Sequence, residues 1–153
     1  MIPISDINPA RNTPVISRIF MFVTVGVFIL IQPKNQIELF NFFYQYSAIP
    51  CELVKFSPIS EAQFYNNNCF YTQTNSIFPN KNIILSMVFA NFFHANFIHI
   101  LGNLWSFWIF GNNVEDKLGK SKFTIFLIFI GIISIGFHTF LNQESLTPIV
   151  GAS

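Results

Sequence analysis

Three stretches of the chain are apolar for long enough to approach a membrane span, and the polar positions that interrupt them are few. A bilayer core about 30 Å thick takes roughly 20 predominantly apolar helical residues. The first stretch runs from about Pro14 to Ile31, the second from about Phe92 to Phe110 and the third from Phe123 to Leu141. Thr13 followed by Pro14 suits a helix N-cap and first position, and Gln32-Pro33-Lys34 supplies a breaker after it. Residues 32–91 form one long connection, polar and irregular around Tyr65–Asn75, and residues 111–122 form a short loop. The pattern predicts an all-α membrane protein, a polytopic helical bundle with three transmembrane helices in a single domain.

Composition strengthens that reading. The chain is 52% hydrophobic with a mean hydropathy of +0.49, well above a soluble chain of 153 residues. Charged residues make up 10% and the net charge is +1, so there is no basic field to hold a phosphate backbone, and a nucleic-acid partner is excluded. The 21 phenylalanines spread over all the apolar segments and read as packing. Arg11 precedes the first stretch and Arg18 lies near its N-terminal end, and Lys117, Lys120 and Lys122 crowd the 111–122 loop, whereas residues 32–91 carry only Lys34, Lys55 and Lys81. The bias predicts a cytoplasmic N-terminus and 111–122 loop, with 32–91 and the loop after the third span outside. Small residues of a signal-cleavage site do not follow the first stretch, so it is read as a span. Cys51 and Cys69 both fall in the exported segment, where a disulfide or two inert free thiols are both open.

The second stretch raises the chemical question. Steps of three, four and seven return close to the same helical angle, so His99, Gly102, Asn103 and Ser106 share one stripe. His94 lies about 140° away around an ideal helix and belongs to the turn that enters the span. Unpaired polar groups in hydrocarbon cost several kcal/mol each, of order ~4–8 on an alkane scale, so the stripe must face the bundle interior or a water-filled cavity. Interhelical glue is one explanation. Metal or haem ligation by two histidines is another, but the i, i+5 spacing does not put both on one face and no acidic or thiolate co-ligand sits nearby. A third is a catalytic or anion-stabilising pocket, which needs a nucleophile from elsewhere. The chain closes on Leu146-Thr147-Pro148-Ile149-Val150-Gly151-Ala152-Ser153, a glycine-containing turn that brings a serine to where another helix could begin.

Together, Ser86–Phe123 (SMVFANFFHANFIHILGNLWSFWIFGNNVEDKLGKSKF) and Pro148–Ser153 (PIVGAS) resemble the rhomboid family of intramembrane serine proteases. The resemblance rests on H-x4-H-x3-N at His94, His99 and Asn103, on a glycine and an acidic residue at Gly111 and Glu115, and on G-x-S at Gly151 and Ser153. The N-terminal PISDINPARNTP and the SAIPCEL around Cys51 are also similar to bacterial members, which points to a bacterial plasma membrane. It implies a six-helix core, three helices of which are present here, and a cofactor-free endopeptidase working through a serine–histidine dyad. Its partners would be transmembrane protein substrates and the lipid bilayer; the oligomeric state is left open.

In that scheme Ser153 is the nucleophile, His99 and Asn103 stabilise the oxyanion alongside the Ser153 backbone N–H, His94 lines the polar pocket and Gly151 shapes the active-site loop. Glu115 would fix the cytoplasmic loop. The second glycine of G-x-S-G, three further spans and the general-base histidine lie outside these residues. The 153 residues are therefore expected to be an amino-terminal fragment that is inactive as written. Two other classes compete: a catalytically inactive relative that binds membrane clients, and a metal- or haem-carrying membrane subunit.

Overall fold

The computed structural model describes residues 13–72 and 74–151, and among them it is all-helical, with no strand beyond two isolated bridges. Helix α1 spans Val15–Gly26 and continues through a π turn, Val27–Ile31. Helices α2 (Gln36–Tyr46), α3 (Pro50–Lys55) and α4 (Glu61–Tyr65) follow. Helix α5 (Ile83–Phe89) runs into a 3-10 turn, Ala90–Phe92, before α6 (Phe97–Leu118) and α7 (Lys120–Leu141). Among the described residues, α7 is by itself long and apolar enough to cross a bilayer; Ile83–Phe92 and Phe97–Leu118 reach that standard only as a pair, bent by 82°. The α1 segment is apolar but shorter.

The second apolar stretch departs most from its expected form. Its helix starts at Phe97 instead of Phe92, because the Asn96 side chain takes the cap and accepts the His99 N–H at 2.8 Å. Residues 93–96 make the bend. At the other end, residues 111–118 are helical where a loop was expected, and Gly119 alone separates α6 from α7. Its φ of +76° is a conformation in which glycine carries no Cβ penalty.

The extension of α6 is what completes α1. Thr13 is not the cap of that helix: Pro14 occupies the cap position and contributes no side-chain acceptor. The orphan amides of the first turn go to a carboxylate about a hundred residues away. Glu115 Oε1 accepts Val15 N–H at 2.9 Å and Ile16 N–H at 3.0 Å, while Oε2 accepts Ser17 N–H at 2.8 Å and Ser17 Oγ at 2.7 Å. A negative charge at a helix N-terminus also meets the positive end of the dipole. Along the same seam Phe20 packs against Phe92 and Phe107 at centroid distances of 5.1 and 4.8 Å. A Cβ on Gly111 would lie 3.3 Å from the Phe107 ring and 3.4 Å from Ser17 Oγ, so the two helices approach closely there.

Residues 47–81 build a small unit of their own. Cys51 and Cys69 are disulfide-bonded, with Cα atoms 5.7 Å apart, and both are buried with Ile49, Ile59 and Leu146. Ser60 and Gln63 form a reciprocal capping box at the start of α4. Glu52 and Lys81 are buried as an ion pair at 2.5 Å. Glu52 Oε1 also accepts Ile59 N–H at 3.0 Å, and Lys81 Nζ donates to the Tyr44 carbonyl at 2.7 Å. Desolvation raises the Glu52 carboxyl above its ordinary range and lowers the Lys81 ammonium, each partly offset by the other's charge.

Candidate functional site

The site lies where the 82° bend meets the loop that follows α7. Four backbone or side-chain bonds hold that loop against segments 47–51 and 90. Cys51 N–H donates to Ser145 O at 3.1 Å and Ile149 N–H to Ala48 O at 2.8 Å. Ser47 Oγ donates to Ile149 O, and Gly151 N–H donates to Ala90 O at 2.9 Å. Leu146 anchors the same loop in the apolar cluster around the disulfide.

Gly151 therefore arrives over α6. Its φ is +92°, and a Cβ there would stand 2.6 Å from His99 Nε2, 2.7 Å from His99 Cε1 and 3.3 Å from Asn103 Nδ2. The backbone thus comes into contact with the two side chains at an approach only glycine permits. His99 and Asn103, four residues apart, lie on one face of α6, as expected. Their half-buried positions contrast with Gly102 and Ser106, which are exposed; Ser106 borders a cavity instead of packing.

His94 sits in the bend, 1% exposed, and its ring centroid is 5.1 Å from that of His99. Its Nε2 lies 3.0 Å from Asn103 Nδ2 and its Nδ1 lies 3.3 Å from the Phe92 carbonyl. Since the amide nitrogen can only donate, Nε2 accepts and Nδ1–H donates to Phe92, which is the neutral Nδ1–H form. The second Asn103 N–H then remains for another acceptor.

A cavity of about 790 Å3 opens beside this cluster between α1, α6 and α7. His94, Asn103 and Ser106 contribute to its wall, which is otherwise largely apolar, with Phe20, Phe107 and Leu127 among its residues. No group of three or more metal-ligating side chains occurs among the described residues. His138 is exposed in the last turn of α7.

His94, His99, Asn103 and Gly151 are thus brought together, while Ser153 lies outside the described residues. Sequence reasoning missed Gln32, which was read only as part of a helix breaker. Its side chain bonds both backbone groups of His94, a pairing across 62 residues that no local pattern signals. It also missed the clamps at Ser47 and Ala48.

Residues 81–153 match the family model of the Rhomboid domain. A "putative rhomboid protein" of Acanthamoeba polyphaga mimivirus is 37% identical over 65 residues, which cover 42% of this chain and 37% of that protein. The match therefore spans little more than a third of the relative's length. No solved structure matches the chain.

Proposed function

The chain belongs to the rhomboid family through residues 81–153, and on that premise we propose that it supplies the nucleophile of an intramembrane serine endopeptidase. Ser153 Oγ would attack the carbonyl carbon of a transmembrane or juxtamembrane peptide bond. The oxyanion so formed would be held by His99, by Asn103 and by the Ser153 backbone N–H, each worth on the order of 10²–10³ in rate. A general-base histidine would take the serine proton and return it to the leaving amine.

One observation carries the reading: Gly151, two residues before Ser153, lies in contact with His99 and Asn103. Ordinary interhelical glue does not require a glycine at positive φ from a distant loop at that point. His94 gains a defined part in this scheme, because its Nε2 occupies one Asn103 N–H and leaves the other for a further acceptor. The Cys51–Cys69 bond supports an orientation in which residues 47–81 face an oxidising compartment and the N-terminus is cytoplasmic.

The test is cleavage of a transmembrane substrate by the full-length protein in proteoliposomes. Loss of cleavage in Ser153→Ala is the expected result. Cleavage that survives Ser153→Ala, or a full-length protein that binds membrane clients without cutting them, would refute it.

A further inference from the structure

From the geometry we infer that Gln32 is a positioning residue for the site, holding His94 so that its imidazole can orient Asn103. The inference rests on the protease reading above. Gln32 follows the π turn at the end of α1, where its own N–H donates to Val27 O at 3.0 Å, and it is 4% exposed. Its Nε2 donates to His94 O at 2.9 Å and its Oε1 accepts His94 N–H at 2.9 Å. A single carboxamide thus satisfies both backbone groups of one buried residue in a bend where no helix can do so.

That clasp fixes the backbone of His94, and the Nδ1 contact to Phe92 O fixes the ring rotation. With two constraints the imidazole has one place to put Nε2, and Asn103 Nδ2 is 3.0 Å from it. The relay therefore runs from Gln32 through His94 to Asn103. Gln32 touches no reacting atom. Its contribution is to keep a donor within the narrow geometry in which a developing charge is stabilised, where a misplacement of about 1 Å costs about 100-fold.

Two variants of the full-length protein test this. Gln32→Leu removes both bonds and should lower kcat about 10- to 100-fold with KM little changed. Gln32→Glu keeps the acceptor for His94 N–H but sets a carboxylate against His94 O. Once protonated it can donate there again, so its rate relative to wild type should recover as pH falls. A residue that only stabilises the fold would lower the folded fraction and leave kcat per folded molecule unchanged. Wild-type kcat in Gln32→Leu, or a Gln32→Glu deficit that stays constant with pH, would overturn the assignment. If wild-type hydrolysis proves insensitive to Ser153→Ala, the protease reading fails separately, and hydrogen exchange decides the clasp. The His94 amide should exchange at least about 10-fold faster in Gln32→Leu while amides in the middle of α6 do not change; an unchanged His94 amide would refute it.

Discussion

Asn103 Nδ2 lies 3.0 Å from His94 Nε2, so the two side chains form one donor–acceptor unit spanning the bend and the first turns of α6. Groups that act as a unit are non-additive. In the full-length protein, Asn103→Ala should lower kcat about 100- to 1000-fold. His94→Ala should lower it less, and the double variant should match Asn103→Ala alone. Penalties that simply multiply would show that the two residues act separately.

Gly151→Ala asks whether the close approach matters. The added methyl would meet His99 Nε2 at 2.6 Å in a backbone conformation with φ +92°. We expect a kcat loss of at least about 100-fold from displacement of the loop. Unfolding should shift by only about 1–3 kcal/mol, the cost of a strained backbone position. Full activity in this variant would mean that the loop has a different path during turnover.

Glu115→Ala removes the acceptor of three backbone amides and one hydroxyl at the head of α1. Unsatisfied buried donors cost about 1–3 kcal/mol each, and relaxation toward the headgroups will recover part of that. A destabilisation of about 2–4 kcal/mol is expected in equilibrium unfolding. Hydrogen exchange should place it at residues 15–17.

Cys51→Ser with Cys69→Ser should destabilise residues 47–81 by about 2–4 kcal/mol. Because Leu146 packs in the same cluster and Cys51 N–H holds Ser145 O, the effect should reach the loop that follows α7. Faster amide exchange at 149 and 151 than in wild type is the signature. Unchanged protection there would show that the loop is held without the disulfide.

The Glu52–Lys81 pair predicts a pH dependence. The Glu52 carboxyl sits above its ordinary 4.5 in the fold, so its contribution is fully present below that value and is lost as pH rises through the folded value. Lys81 sits below its ordinary 10.5, so its contribution is present above 10.5 and is lost as pH falls through the folded value. Glu52→Gln with Lys81→Met should flatten the pH profile of unfolding, whereas Lys81→Met alone should cost about 3–5 kcal/mol at pH 7.

What could be read along the chain was whatever depends on short spacing. The i, i+4 relation of His99 and Asn103 put them on one face, and the motif at Gly151 marked the loop that reaches them. The bend at 93–96 was hidden, since an apolar run has the same composition whether its helix is straight or broken. Glu115 was assigned to a loop because its partners are amides at Val15–Ser17, and backbone amides carry no sequence signature. Gln32 was lost for the same reason. The cysteines left two possibilities open until the fold put their Cα atoms 5.7 Å apart.

The distant cap on α1 also sets an order of events during synthesis. Ribosomes add about 5–20 residues per second, so the head of this helix waits on the order of 5–20 s for its carboxylate to be made. Until then water or lipid headgroups must solvate those amides, and the α1 terminus cannot settle ahead of α6. Helix α1 is thus provisional when it is made and is locked from behind once α6 arrives.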